Sequence, residues 1–160
     1  MGLVIIKCGD PGDSDHLKNL AHYMSDDRKL MIGGNGVDYT DENAVISQME
    51  IVKEYFGKTQ NRSHVQVILP YNEQGITAEK TCEYTKKAAA YFDDDFQTLY
   101  CAHQPDADCD YYHSHIMINP VNIHIGKMME TDPVSLKPFC EHVEKVTGAK
   151  NRLKFKKNDE

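Results

Sequence analysis

The sequence lacks several features that would assign it to familiar classes of protein. No apolar run approaches the roughly 18–20 residues that span a membrane, and the apolar start, residues 1–8, is too short for the core of a signal peptide. The five cysteines are odd in number and scattered, and none of them forms a Cys-x-x-Cys pair. We therefore expect a soluble, cytoplasmic protein with reduced thiols and no membrane partner, without a disulfide framework or a zinc ribbon.

Positive charge is also scarce. The 160 residues include 18 lysines and arginines against 25 aspartates and glutamates, which gives a net charge of −7. A protein that binds nucleic acid over its whole surface is usually basic, so this balance argues against such a surface. Basic residues are concentrated in residues 150–157, which form either a segment that follows phosphates or a solvated chain end.

Histidine, by contrast, is abundant, with eight in the chain. His113 and His115 are two residues apart in a strand-like run, so they project from one face, roughly 6.5–7 Å apart at the backbone. His103 follows an earlier strand-like run, residues 96–102, and a hairpin of the two strands would bring all three imidazoles together. Three neutral imidazoles leave metal positions open for water or substrate, which is typical of a catalytic site. The alternative is three histidines that are hydrogen-bonded or solvent-exposed.

A tyrosine lies off the apolar face of the first predicted helix, residues 15–25. The apolar stripe of this helix consists of Leu17, Leu20, Ala21 and Met24. Tyr23 lies roughly 110° from the centre of the stripe, among polar neighbours. Its hydroxyl is a candidate nucleophile that needs a base or a cation, because the pKa of a free tyrosine is about 10. The alternative is a tyrosine packed at the rim of the core.

The order of predicted elements favours an α+β fold in one domain. Strands are predicted at residues 3–8, 64–69, 96–102 and 112–119. Helices are predicted at residues 15–25, 40–56, 77–92 and 135–147. Pro70 ends the second strand, residues 33–36 form a glycine-rich loop, and Gly148 stops the last helix. The adjacent strands near the end indicate an antiparallel β-sheet of about five strands, flanked by helices in two or three layers.

Taken together, these segments resemble the MobA/VirD2-like relaxases, nuclease domains of plasmid mobilisation proteins in the HUH endonuclease superfamily. Residues 20–29 resemble the family's first motif, which carries a nucleophilic tyrosine. His103, followed by residues 113–122, resembles the third motif, a metal-binding histidine triad that ends in asparagine. Segments at 34–37, 55–59 and 126–140 are also similar. The resemblance implies a nuclease domain at residues 1–149 and a basic tail at 150–160, which a longer native chain would continue.

The resemblance implies a reaction. Tyr23 would nick single-stranded DNA at an origin of transfer, site- and strand-specifically, and form a 5′-phosphotyrosine intermediate for conjugative transfer. His103, His113 and His115 would hold a divalent metal ion that polarises the scissile phosphate, Mn²⁺ or Mg²⁺ in function. Three imidazoles by themselves suit Mn²⁺, Zn²⁺ or Ni²⁺ better than Mg²⁺. Accessory relaxosome proteins are the further partners that the resemblance implies.

Further site residues follow from the same resemblance. Asp106 matches a family carboxylate, which would orient a metal-bound imidazole or help to deprotonate the tyrosine; alternatively, it caps its own turn. Asn119 has the strand parity of the two paired histidines, so we expect it to face the site and to contact DNA or support a ligand. Arg28, Lys29 and Lys58 are expected DNA contacts.

Three features depart from the family's pattern. The loop at residues 104–112 is longer, Leu69 stands where a DNA-contacting serine is usual, and the composition is acidic. Two alternatives therefore stay open. One is a DNA-binding module that keeps the HUH fold with weakened or lost cleavage, and the other is a metal-dependent phosphoesterase in which Tyr23 is only structural.

Overall fold

A computed structural model of the protein describes residues 2–107 and 109–157. Its strands are β1 (Gly2–Cys8), β2 (Lys29–Asn35), β3 (Val65–Tyr71), β4 (Thr98–His103), β5 (Tyr112–Ile118) and β6 (Asn151–Phe155). Its helices are α1 (Ser14–Met24), α2 (Glu42–Tyr55), α3 (Ala78–Ala89), which a 3₁₀ turn at Ala90–Phe92 extends, and α4 (Pro133–Thr147). None of the helices described is both long and apolar enough to cross a membrane.

The strands form one sheet in the order β2-β4-β5-β3-β1-β6. Neighbouring strands are antiparallel except β6, which runs parallel to β1 at the edge. Helices cover both faces, with α1 and α2 on one and α3 and α4 on the other. The predicted α+β fold, an antiparallel sheet flanked by helices, is confirmed in its three-layer form, with a sixth strand that makes the sheet mixed.

Side-chain caps set the helix starts. In each case the residue before the helix accepts a hydrogen bond from a backbone N–H of the first turn, which has no partner within the helix. These caps are Asp13, Asp41, Thr77 and Asp132. Gly148 ends α4 with a φ of 73°, a left-handed conformation that favours glycine, so its predicted role as a helix stop is confirmed.

The sheet separates two apolar cores. The core under α3 and α4 includes Ile116 and Phe139, and the core under α1 and α2 includes Leu17, Met49 and Met117. Side chains alternate along each strand, so Met117 shares its face with the two histidines that precede it in β5. We call the sheet face under α1 and α2, from which His103, His113 and His115 project, the histidine face.

Two predicted boundaries are wrong, at glycines and at a proline. Gly33 and Gly34, expected in a loop, lie inside β2, where a Cβ on Gly33 would come within 2.5 Å of the Tyr100 ring. These glycines therefore permit a close approach between β2 and β4 rather than a turn. Pro70 does not end β3, which runs to Tyr71. The pairing of β3 with β1 stops at Ile68, so the missing N–H of Pro70 leaves no gap in that ladder.

The segment predicted as a basic tail contains β6. This strand pairs in parallel with β1 from Gly2 opposite Asn151 to Ile6 opposite Phe155. Leu153 packs against the core under α3 and α4, so β6 is part of the folded sheet. Residues 158–160 of the predicted tail lie outside the described residues.

A buried histidine at the start of β3 predicts a specific pH dependence of stability. His64 is 1% exposed, and burial, reinforced by the neighbouring His16, lowers its pKa to about 3. The unfolded chain binds a proton near the ordinary pKa of 6.5 while the folded chain does not, so stability falls as pH drops from about 6.5 towards 3. We expect a loss of several kcal/mol over this window, because one pKa unit corresponds to about 1.4 kcal/mol.

Urea unfolding of wild type and His64→Gln across this pH window measures the effect. The His64→Gln variant is expected to lose less stability on acidification than wild type. His124→Gln, a change at an exposed position, is the matched control and should follow the wild-type curve. If the wild-type and His64→Gln curves run parallel, His64 is not the cause of the pH dependence.

Candidate active site

The three histidines meet on the histidine face next to α1. The β4–β5 register places His103 opposite His113 and Cys101 opposite His115, so the predicted hairpin is present. One nitrogen from each of the three imidazoles lies within 4.8 Å of the other two, and all three side chains are buried. Three nitrogens at this spacing can bind one cation, because small rotations of the rings would bring each nitrogen to coordination distance.

Hydrogen bonds leave a ring nitrogen of each histidine for a ligand. Nδ1 of His113 donates to the carbonyl of Tyr111 at 2.8 Å, so Nε2 is the lone-pair nitrogen of the neutral ring. The buried Nδ1 of His103 and Nε2 of His115 have no hydrogen-bond partner among the described residues. Buried polar atoms without a partner are costly. Two such nitrogens beside a third imidazole fit a divalent cation, which imidazole binds well.

The surroundings keep two of these imidazoles neutral. Burial lowers the pKa of His103, and it holds the pKa of His115 well below its usual range. The neighbouring His113 adds to both shifts, because a second positive charge nearby is unfavourable. Neutral imidazole is the form that binds a metal, so His103 and His115 are in that form at neutral pH.

The last turn of α1 places Tyr23 against the histidines. The centre of its half-buried ring lies 5.4 Å from that of His103 and 5.3 Å from that of His115, both in edge-to-face geometry. Part of the ring also packs against the core under α1 and α2. The two alternatives from the sequence are thus both present, since Tyr23 lies at the rim of the core and at the histidine cluster.

Arg28 holds a positive charge over the Tyr23 ring, with its guanidinium carbon 4.5 Å from the ring centre. The guanidinium also pairs with Asp26 at 2.9 Å and with Asp106 at 3.1 Å. The hydrogen bond to Asp26 is the main reason why the pKa of Arg28 is raised, with smaller contributions from Tyr23 and Asp106. A fixed cation beside a phenol favours the phenolate form.

Comparison with known families decides the class of protein. The family model described as "Relaxase: MobA/VirD2-like, nuclease domain" matches residues 19–149. The chain belongs to this relaxase family. The matched segment includes Tyr23 and all three histidines. A search of curated proteins finds no match. Membership makes the chain a relaxase nuclease domain, a DNA-nicking enzyme that acts on single-stranded DNA and belongs to a generally metal-dependent family.

Asp106 occupies the loop of this relaxase between β4 and β5. Its Oδ1 accepts a hydrogen bond from the backbone N–H of Cys109 at 3.0 Å, so it caps its own turn. Its Oδ2 accepts from Arg28. Asp106 is thereby linked to Tyr23 through Arg28, a connection between residues far apart in the sequence. Asp108, in the same loop, lies outside the described residues.

Lys29 lies beside the site at the start of β2, opposite His103. Its ammonium donates to the carbonyl of Ser25 at 3.2 Å, at the C-terminal end of α1. A cation there compensates the partial negative charge of the helix end. Lys29 lies next to Arg28 and close to the histidines, and its contact with DNA stays a prediction.

Asn119 is on the predicted face but is sealed inside the protein. It is fully buried, and its amide donates to the carbonyl of Met49 in α2 and to Oε1 of Gln97. It follows the far end of β5, four residues beyond His115, so strand geometry puts it roughly 13 Å away from that histidine. Its side chain links β5 to α2 and is not exposed at the surface.

Lys58 lies at the other end of the molecule from the histidines. Its carbonyl accepts from Asn61, whose own carbonyl accepts from Gly12, just after β1 ends. The end of β1 adjoins the start of β3, opposite to the edge where His113 lies. Lys58 is thus separated from the candidate active site by the length of α1.

Leu69 does not take part in the site. Its side chain is 1% exposed and packs in the core under α3 and α4. That core is on the opposite face of the sheet from the histidines. The departure from the family pattern at this position therefore affects the core rather than the face that carries Tyr23.

Gln66 is a site residue that the sequence did not reveal. Its buried amide nitrogen lies 3.0 Å from Nδ1 of His115. A carboxamide turned by 180° presents oxygen in place of nitrogen, and that oxygen would accept the Nδ1–H and leave Nε2 of His115 for a cation. The sequence gave only a strand at residues 64–69, and the partner of Gln66 follows from the β3–β5 register.

We expect Gln66→Leu to weaken Mn²⁺ binding by about 10- to 100-fold, because a ligand histidine without its hydrogen-bond partner is poorly oriented. Gln66→Glu is the matched variant, since its carboxylate accepts from Nδ1–H and should preserve or tighten binding. Isothermal titration with Mn²⁺ measures both. Equal affinities of Gln66→Leu and wild type would show that Gln66 has only a packing role.

Proposed function

We propose that this domain nicks single-stranded DNA at an origin of transfer, using Tyr23 as the nucleophile and a divalent metal ion held by the histidine triad, for mobilisation of a plasmid. The observation that carries the proposal is the edge-to-face contact of Tyr23 with His103 and His115. A nucleophile and a cation site in contact allow one phosphate to reach both.

Each group has a defined task in this proposal. His103, His113 and His115 would hold the cation, each through one ring nitrogen. Mn²⁺ or Mg²⁺ would serve in function, and the imidazole set also accepts Zn²⁺ or Ni²⁺. When bound, the cation supplies Lewis acidity that polarises the scissile phosphate and offsets charge in the transition state. Three protein ligands would leave room at the cation for phosphate oxygens.

Tyr23 gives its phenolic proton to water, and its Oη forms a bond to phosphorus. The bond from phosphorus to the 3′ oxygen breaks, and that oxygen takes a proton from water to give a free 3′-OH. Arg28 stabilises the phenolate by its charge over the ring, and Asp106 positions Arg28 through their ion pair. The energy of the broken ester is kept in the phosphotyrosine link, so the reverse reaction can reseal the strand.

A denaturing gel tests the proposal. Single-stranded DNA that carries a candidate origin is labelled at the 5′ or 3′ end and incubated with protein and Mn²⁺. We expect a protein–DNA band that survives denaturation and carries the 3′ label only, while the 5′-labelled fragment is released. DNA binding without such a band would favour the weakened HUH-fold binding module. A nick with no covalent band would favour a metal-dependent phosphoesterase.

A further inference from the structure

The histidine face extends beyond α1 onto the strands β3, β1 and β6. In β1, Val4 and Ile6 point into the core under α3 and α4, so Leu3 and Ile5 point to the histidine face. The parallel register places Arg152 beside Leu3 and Lys154 beside Ile5. Both basic residues therefore project from the same face as the histidines.

One row of paired residues crosses the sheet from the histidines to this edge. His115 pairs with Ile68, Ile68 with Ile5, and Ile5 with Lys154. Three inter-strand steps correspond to roughly 14 Å. The basic residues of β6 are thus close enough to the candidate active site for one DNA strand to touch both.

The charge of this edge contrasts with that of the whole protein. Arg152 and Lys154 are both exposed, and neither forms an ion pair with a residue that the structure describes. In a chain with a net charge of −7, two unneutralised cations beside the active face are complementary to phosphate.

A cavity of about 250 Å³ lies beside this basic edge, and Pro70 in its lining pairs with His113 across β3 and β5. Its lining includes Leu3, Pro70, Tyr111 and Arg152. Tyr111 is 47% exposed, while its backbone carbonyl accepts the hydrogen bond from His113. An exposed aromatic ring with apolar walls and a guanidinium is suited to stacking an unpaired base.

We propose that Tyr111, Arg152 and Lys154 form a binding surface for the single-stranded DNA that flanks the scissile phosphate. An unpaired base stacks on Tyr111 in the cavity, and the neighbouring phosphates contact Arg152 and Lys154. Both basic residues lie outside the segment that matches the relaxase family, residues 19–149. This proposal rests on the proposed function, which supplies single-stranded DNA as the partner. A local basic surface would account for the binding of a polyanion by an acidic chain.

Fluorescence anisotropy with a labelled oligothymidylate tests the surface across a series of salt concentrations. For Arg152→Ala/Lys154→Ala we expect the slope of log Kd against log salt to fall by about 1.4, because each contact with a single-stranded phosphate contributes about 0.7. The control double variant, Lys86→Ala/Lys137→Ala, removes the same charge from exposed positions on α3 and α4, on the opposite face. It should keep the wild-type slope.

Substitution of the aromatic residue gives an independent readout. Tyr111→Ala is expected to weaken binding roughly 5- to 150-fold, because stacking contributes about 1–3 kcal/mol per base. Tyr55→Ala, at a tyrosine that is 81% exposed on α2, should bind like wild type. Circular dichroism melting confirms that each variant is folded.

The outcomes separate this surface from the proposed nicking. If both control variants and the surface variants bind like wild type, the surface is wrong while the nicking proposal stands. If the surface variants bind weakly but wild type forms no covalent adduct, the surface is supported and the Tyr23 chemistry fails. If wild type binds no single-stranded DNA at all, both proposals are overturned.

Discussion

Replacing Tyr23 by phenylalanine is expected to abolish the covalent protein–DNA adduct and to lower DNA cleavage by at least about a thousandfold. Phenylalanine keeps the ring that contacts His103 and His115, so the site should remain packed. Only the attacking oxygen is lost. The affinity for single-stranded DNA should therefore stay close to that of wild type. The loss of cleavage then arises in the chemical step.

Tyr112→Phe is the matched control for this experiment. Tyr112 precedes His113 in β5, so alternation turns its side chain to the opposite face of the sheet. It should form the adduct at the wild-type rate. A nick that persists in Tyr23→Phe without a protein-linked product would make Tyr23 a packing residue and the enzyme an ordinary hydrolase.

The sequence was most informative where a single element fixes the geometry. Alternation along one strand put His113 and His115 on one face, and helical periodicity put Tyr23 outside the apolar stripe of α1. β4 and β5 are consecutive in the sequence, and consecutive strands commonly pair, which brings His103 to the other two. These local rules predicted the centre of the site and the class of fold.

Features that depend on distant pairing were missed or misplaced. The ion pair of Arg28 with Asp106 joins residues 78 positions apart, and the contact of Gln66 with His115 joins residues 49 apart. No local pattern encodes such partners. Asn119 shows the same limit, because strand parity gave its face correctly but could not show that α2 covers it.

Two whole strands escaped prediction for a related reason. β2 contains the glycines of residues 33 and 34, and β6 is rich in lysine and arginine, so neither segment has the composition of a strand. Both lie at edges of the sheet. Edge strands are commonly short or charged, and their formation depends on the neighbour that they join.

Replacing His115 by alanine is expected to weaken Mn²⁺ binding by at least about a hundredfold. This decrease in affinity is larger than that expected for Gln66→Leu, which removes only the hydrogen-bond partner of His115. His115 belongs to a buried cluster with His103 and His113, and no other described residue completes that cluster. Isothermal titration measures the affinity. His113→Ala should show a similar loss, and it guards against the case in which His115→Ala fails to fold.

A matched control for metal binding lies at the other end of α1. Asp10, Asp13 and His16 form the second group of closely spaced candidate ligands that the structure describes. If Asp10→Asn weakens Mn²⁺ binding and His115→Ala does not, the cation sits away from Tyr23 and the proposed nicking loses its Lewis acid. If the triad variants alone lose the cation, chelation of wild type should stop adduct formation, and added Mn²⁺ should restore it. Such a result would tie the metal to the same phosphate that Tyr23 attacks.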